Sequence, residues 1–176
     1  RDLYGFDVTN VDLSLIGQQA EHEFCGVNCG IMDQFAVAMG KKDHALLLNT
    51  KTLDYEYIPI TLCGVKLIIA NSNKKHKLGE SKYNERREEC ETALEEKTWN
   101  LYQVTVKDDD RKRRVKHAVT ENARTKQAAA ALKNGELKTF GELMKASHQS
   151  LSEDYEVTGD ELDALVEAAW ETEGVL

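Results

Sequence analysis

The segment with the most chemical content runs Cys25-Gly26-Val27-Asn28-Cys29-Gly30-Ile31-Met32-Asp33-Gln34-Phe35. A glycine-broken loop leads into a helical pattern, and Asp33 falls in the first turn of that helix, off its apolar stripe. Backbone amides and the helix dipole stabilise a carboxylate there. Taken alone, a first-turn acid is also an ordinary helix-start residue. Gly30, just ahead, allows a ligand to approach the backbone closely or simply makes a turn. Four cysteines (Cys25, Cys29, Cys63 and Cys90) are too sparse for a disulfide framework. Cys25 and Cys29 are four apart with His22 as their nearby nitrogen ligand, and no second pair follows at a zinc spacing. They read as buried, inert thiols.

The elements that must hold this segment follow from periodicity and capping. Thr9 or Asn10 caps a helix from about Val11 to Phe24. Gly26, Asn28 and Gly30 break it, and Ile31, Met32, Phe35, Ala36 and Met39 form the stripe of a short second helix ending at Gly40. Lys41-Lys42-Asp43 turn into an extended run, His44 to Asn49. A second run follows from Leu53 to Ile60, and an apolar one from Val65 to Ala70 has the pattern of a buried strand. From residue 80 the pattern becomes helical: Ser81 to about Glu96, then Val115 to Asn134-Gly135, then a helix through Leu137, Phe140, Leu143 and Met144. A last helix passes through Leu162, Leu165, Val166 and Ala169 toward Gly174. The expected class is α+β with an incomplete β layer, whose partner strands would lie outside this chain.

The 176 residues, 41% of them apolar, suffice for a core of one large domain or portions of two. Net charge is −8, with nine Asp/Glu and no Lys/Arg in residues 151–176, which argues against nucleic acid as main partner. The basic run Arg111 to Lys116 reads as a solvated helix face. No apolar stretch approaches the ~20 residues of a membrane span, and no signal peptide is visible, so a cytoplasmic protein is expected. Without an initiator Met, the chain reads as a fragment.

The run Gly30-Ile31-Met32-Asp33-Gln34-Phe35 resembles the catalytic segment of the galactokinases, which are GHMP small-molecule kinases. Its flanks, Gln19-Ala20-Glu21-His22-Glu23-Phe24 and Gly40-Lys41-Lys42-Asp43-His44-Ala45-Leu46-Leu47, are similar to the same family. So are Asn71-Ser72-Asn73-Lys74-Lys75-His76, Tyr83 through Arg86-Arg87-Glu88-Glu89-Cys90, His117 to Asn122, and Ser147-His148 to Asp154-Tyr155. The resemblance implies transfer of phosphate from ATP, with Mg²⁺, to the C1 hydroxyl of α-D-galactose, and a GHMP kinase-like two-part fold. Residues 1–75 would belong to the N-terminal catalytic part and 76–176 to the mainly helical C-terminal part.

By the same resemblance, Asp33 matches the catalytic aspartate facing the sugar C1 hydroxyl. Gly30 and Tyr83 match galactose-contacting positions, and Glu21 matches the magnesium-binding acid. Without the family, Tyr83 would be a helix-start aromatic and Glu21 a solvated helix acid; His22 and His148 carry no family role and read as structural. The chemistry is coherent. Phosphoryl transfer passes through a loose transition state, so an aspartate suffices to orient the acceptor and take its late-leaving proton. Mg²⁺ prefers one or two protein carboxylates plus phosphate oxygens.

The chain also departs from the family pattern. The N-terminal signature, the Gly/Ser-rich phosphate loop and the third glycine-rich motif are absent, and the stretch between Glu96 and Lys107 is short. The phosphate cradle would therefore lie outside it, and the segment alone is expected to be inactive. Alternatives in the same scaffold are a kinase of N-acetylgalactosamine or galacturonate, and a galactose- and ATP-sensing regulator without turnover. The whole protein is expected to be a monomer.

Overall fold

The computed structural model describes residues 3–74, 85–86, 88–90 and 109–176. These sort into two compact units, Arg1–Ile60 and Thr61–Leu176. The class is α+β, as expected from the patterns.

In the first unit, α1 (Asn10–Phe24) starts at a capping box. The Asp12 amide donates to Thr9 Oγ1 at 3.1 Å, and the Thr9 amide donates to Asp12 Oδ2 at 2.8 Å. Two orphan amides are thereby satisfied at the helix start. The helix ends where Cys25 and Val27 both donate to the Glu21 carbonyl, and Gly26 leaves in the left-handed region at φ 67°. Next comes α2 (Met32–Met39). It stops at Gly40, where a Cβ would lie 2.8 Å from the Ala36 carbonyl oxygen, so a side chain does not fit. An antiparallel hairpin follows, β1 (His44–Leu48) with β2 (Tyr55–Pro59), in the register His44↔Pro59 to Leu48↔Tyr55. Its turn is tied by Asn49 Oδ1, which accepts from the Lys51 and Thr52 amides.

A lone hairpin is marginal in water, so its packing on α2 matters. Val27, Ile31, Phe35 and Ile58 are each no more than 5% exposed and form this unit's core. The Phe35 ring meets Tyr55 edge-on at 5.5 Å, and the Tyr57 hydroxyl donates to the Met39 carbonyl at 2.8 Å. The apolar stripe of α2 is narrower than expected: Ile31 and Phe35 are buried, whereas Met32 is 68% exposed. The cysteines also depart from expectation. Cys25 and Cys63 are exposed, and Cys29 and Cys90 half-buried, because they sit on loops and a helix edge rather than in the core.

The second unit is helical. After residue 61 the apolar run 65–70 forms no strand among the described residues, and Leu67, Ile68 and Ile69 lie exposed. A hydrophobic run becomes a buried strand only when other strands pair with it and both faces are covered. Of the expected helix from Ser81 to Glu96, residues 85, 86 and 88–90 are helical, and the remainder lies outside the described residues. The long α3 (Asp109–Asn134) ends in a reversal at Gly135, φ 72°, where the Gly135 and Glu136 amides donate to Leu132 and Ala131 carbonyls. This returns the chain as α4 (Leu137–Ser150), packed on α3. A π-helical turn, Leu151–Tyr155, extends α4 and closes with Glu156 in the left-handed region. The last helix is α5 (Asp160–Glu171).

The widened turn presents Asp154 and Tyr155 to α3, and there the basic run behaves differently from the solvated face that its composition suggests. Arg114 is 1% exposed. Its Nε donates to Glu89 Oε2 at 3.1 Å, its Nη1 to the Asp154 carbonyl at 2.6 Å, and its Nη2 to Glu156 Oε2 at 2.7 Å. Arg86, equally buried, bonds the Tyr155 carbonyl and Glu89. A guanidinium presents five donors in a rigid fork, so partners from several segments can compensate its desolvation. Beside it, Ser150 donates to Asp154 Oδ2, so its oxygen accepts from His117 Nδ1–H at 3.0 Å, and the imidazole stacks on Tyr155. His148 lies 3.2 Å from Asp163 and edge-on to Trp170.

Candidate active site

The candidate site grows from the α1–loop–α2 unit. Two buried side chains, Val27 and Ile31, anchor the loop from below, and Phe35 fixes the next turn of α2. Between these anchors Gly30 is exposed. Asp33 stands exposed in the first helical turn, where the amides of α2 favour a carboxylate. The two residues share one short loop-to-helix junction, as their spacing requires.

The face of α1 that meets this junction is small and polar. At Gly17 a Cβ would stand 3.2 Å from Gln34 Cγ, which marks how closely the two helices approach. Asn10 Nδ2 donates to the Ala38 carbonyl at 3.0 Å, and the buried Ser14 hydroxyl reaches the Asn10 and Gln34 carbonyls. One turn further on, Gln18 Nε2 donates to the Cys29 carbonyl at 3.1 Å, and His22 Nε2–H donates to the same oxygen at 2.8 Å. Leu13, Leu15 and Ile16 point elsewhere and are exposed. None of these α1 contacts follows from apolar periodicity. The signal that would have found them is the recurrence of small or polar residues at 10, 14, 17, 18 and 22, a helical stripe.

Glu21 lies half-buried near the end of α1. Its carboxylate stands beside the Cys25 thiol and pushes that thiol's pKa up, which favours the protonated form. Among the described residues no group of three or more His, Cys, Asp and Glu gathers to hold a metal. A lone carboxylate still fits Mg²⁺, which takes most of its ligands from phosphate and water when it accompanies a nucleotide. Tyr83 lies outside the described residues.

Comparison with known proteins bears on this arrangement. Residues 1–41, which contain α1, the loop and α2, match the family described as GHMP kinases N terminal domain. The galactokinase of Ligilactobacillus salivarius strain UCC118 is 48% identical over 191 residues, covering 100% of this chain and 49% of that protein. That of Streptococcus suis strain 05ZYH33 is 50% identical over 190 residues, covering 99% of this chain and 49% of that protein. The aligned spans exceed the chain's own 176 residues, so these relatives carry insertions relative to it. Among solved structures, the crystal structure of Lactococcus lactis galactokinase complexed with galactose superposes with a TM-score of 0.85 at 39% identity. It is matched over 98% of this chain and 48% of that one. The chain therefore spans about half the length of the relatives it matches. With near-half identity along its entire length and the same backbone course, the chain is similar to about half of a galactokinase of the GHMP kinase family.

Proposed function

We propose that the complete gene product is a galactokinase, transferring the γ-phosphate of ATP to the C1 hydroxyl of α-D-galactose. The observation that carries the reading is Asp33, exposed in the first turn of a helix whose neighbours Ile31 and Phe35 are locked in the core. A base must be accessible and carried on a fixed backbone, and Asp33 meets both conditions. The relative solved with galactose, 39% identical over nearly the whole chain, supports the choice of sugar.

In this reading Asp33 accepts a hydrogen bond from the C1 hydroxyl, aims its oxygen at the phosphoryl group and takes the proton as the new bond forms. Gly30 and Tyr83 contact the sugar. Glu21 would hold Mg²⁺, which when bound neutralises charge on the transferring phosphoryl group. Among the described residues, Asp33 and Gly30 serve the acceptor side of the reaction and Glu21 the metal. We also propose the division of the fold at 1–75 and 76–176, which assigns the apolar run 65–70 to the N-terminal part, where a sheet would cover it. Further proposals are a cytoplasmic location and a monomer; among the described residues no helix is long and apolar enough to cross a membrane.

The test incubates the complete gene product with ATP, Mg²⁺ and, separately, galactose, N-acetylgalactosamine and galacturonate. Galactose is expected to have the highest kcat/KM. A higher value for either other sugar would reassign the substrate, and tight galactose binding without turnover would favour the regulator.

A further inference from the structure

We propose that Gln18 and His22 are positioning residues that set the Cys29–Gly30 peptide plane, and through it the sugar-facing side of the loop. The inference rests on the galactokinase reading for its substrate and on geometry for the rest. Gln18 and His22 are one helical turn apart on α1, so their side chains project from the same face. Both end on one atom, the Cys29 carbonyl oxygen, at 3.1 and 2.8 Å. A carbonyl has two lone pairs, and two donors from a rigid helix fix its direction far better than one.

The peptide bond carries this constraint forward. It is planar, and the chain has no cis peptide bonds among its described residues, so the Gly30 N–H points opposite to the Cys29 C=O. Two donors on α1 therefore turn the Gly30 amide away from α1. The residue beyond Gly30 is the buried Ile31, and Asp33 follows within one turn. Holding the plane at 29–30 orients both the Gly30 backbone, which the galactokinase reading sets against the sugar, and the start of the helix that carries Asp33. Asn10 holds the far end of α2 through the Ala38 carbonyl and Ser14 reaches the Gln34 carbonyl in its first turn, while the Cys29 anchor joins the buried Val27 and Ile31 in holding the loop.

His22 acts here as a donor through Nε2–H, with no proton transfer required. A glutamine at 22 would offer an amide of similar reach, since Gln18 already reaches the same oxygen with that side chain. Leucine at either position keeps bulk and helix propensity while removing the donor.

The test compares Gln18→Leu, His22→Leu, the double variant and His22→Gln in the complete gene product. With ATP, Mg²⁺ and galactose, the double Leu variant should raise the galactose KM at least fivefold and lower kcat about tenfold. The ATP KM should stay within twofold, and His22→Gln should regain most of the loss. Each single Leu variant should show part of the effect, and these carry the test if the double variant does not fold. A merely structural role would lower the melting temperature and the active fraction without moving the galactose KM. A galactose KM within twofold of wild type in the Leu variants, or His22→Gln as impaired as His22→Leu, overturns the proposal.

Amide exchange of the peptide spanning residues 25–35 supplies a readout that needs no activity. Faster exchange in the Leu variants, restored by His22→Gln, supports the anchor even if the wild type phosphorylates no sugar, in which case the galactokinase reading alone fails. Unchanged exchange overturns the anchor whatever the activity.

Discussion

Replacing Arg114 by methionine keeps most of the side-chain volume but removes three donors from a site that is 1% exposed. Breaking a buried ion pair by deleting one partner typically costs about 3–5 kcal/mol, because the other charge is left stranded. Here the stranding is incomplete. Glu89 keeps Arg86 at 3.0 Å, and Glu156 keeps Arg113 at 2.9 Å and Arg86 at 3.5 Å. Both acids also retain some water, with side chains 27% and 37% exposed. The Asp154 carbonyl loses its 2.6 Å donor, a loss worth about 1–3 kcal/mol for a buried acceptor. These terms place the destabilisation at about 2–4 kcal/mol. With a urea m-value on the order of 2 kcal/mol/M, the midpoint should fall by about 1–2 M. Tryptophan emission can follow the transition, since Trp170 packs against His148 within the same helical unit. Arg114→Lys, which keeps the charge but loses the fork, should fall between the two. A midpoint for Arg114→Met within about 0.2 M of wild type would refute the claim that this guanidinium ties residues 89, 154 and 156 to α3.

Two further outcomes test the helical unit. Burial holds the His117 imidazole below its ordinary value of 6.5, so the unfolded chain takes up that proton first. Stability should therefore decline as pH falls below about 6.5, and His117→Gln should flatten this limb between pH 5 and 6.5 in urea titrations. At Gly141 a Cβ would lie 2.6 Å from the Leu176 backbone carbon and 2.9 Å from its oxygen. Gly141→Ala should thus lower the melting temperature, although alanine in a helix is ordinarily worth about 0.5–1 kcal/mol over glycine.

The parts of this molecule that were legible in its sequence are those whose causes are local. The cap at Thr9, the reversal at Gly135 and the two hairpin strands each follow from residues within a few positions of one another. The junction carrying Gly30 and Asp33 was legible for the same reason, being contiguous. Arg114 was not, because its partners Glu89 and Glu156 lie 25 and 42 positions away, and a run of basic residues carries no mark of what it will meet. The α1 face escaped notice because Gln18 and His22 act on a backbone oxygen, which every residue possesses. The run 65–70 was legible as apolar, but strand formation depends on partners that no property of the run itself specifies.

The galactokinase reading stands or falls on Asp33. In the complete gene product, Asp33→Ala should lower kcat for galactose by about 10²–10⁴-fold, the usual contribution of a positioned general base, while ATP binding measured by titration survives. A purified, folded Asp33→Ala protein that retains more than about a tenth of wild-type turnover would contradict the account, because the base would then lie elsewhere.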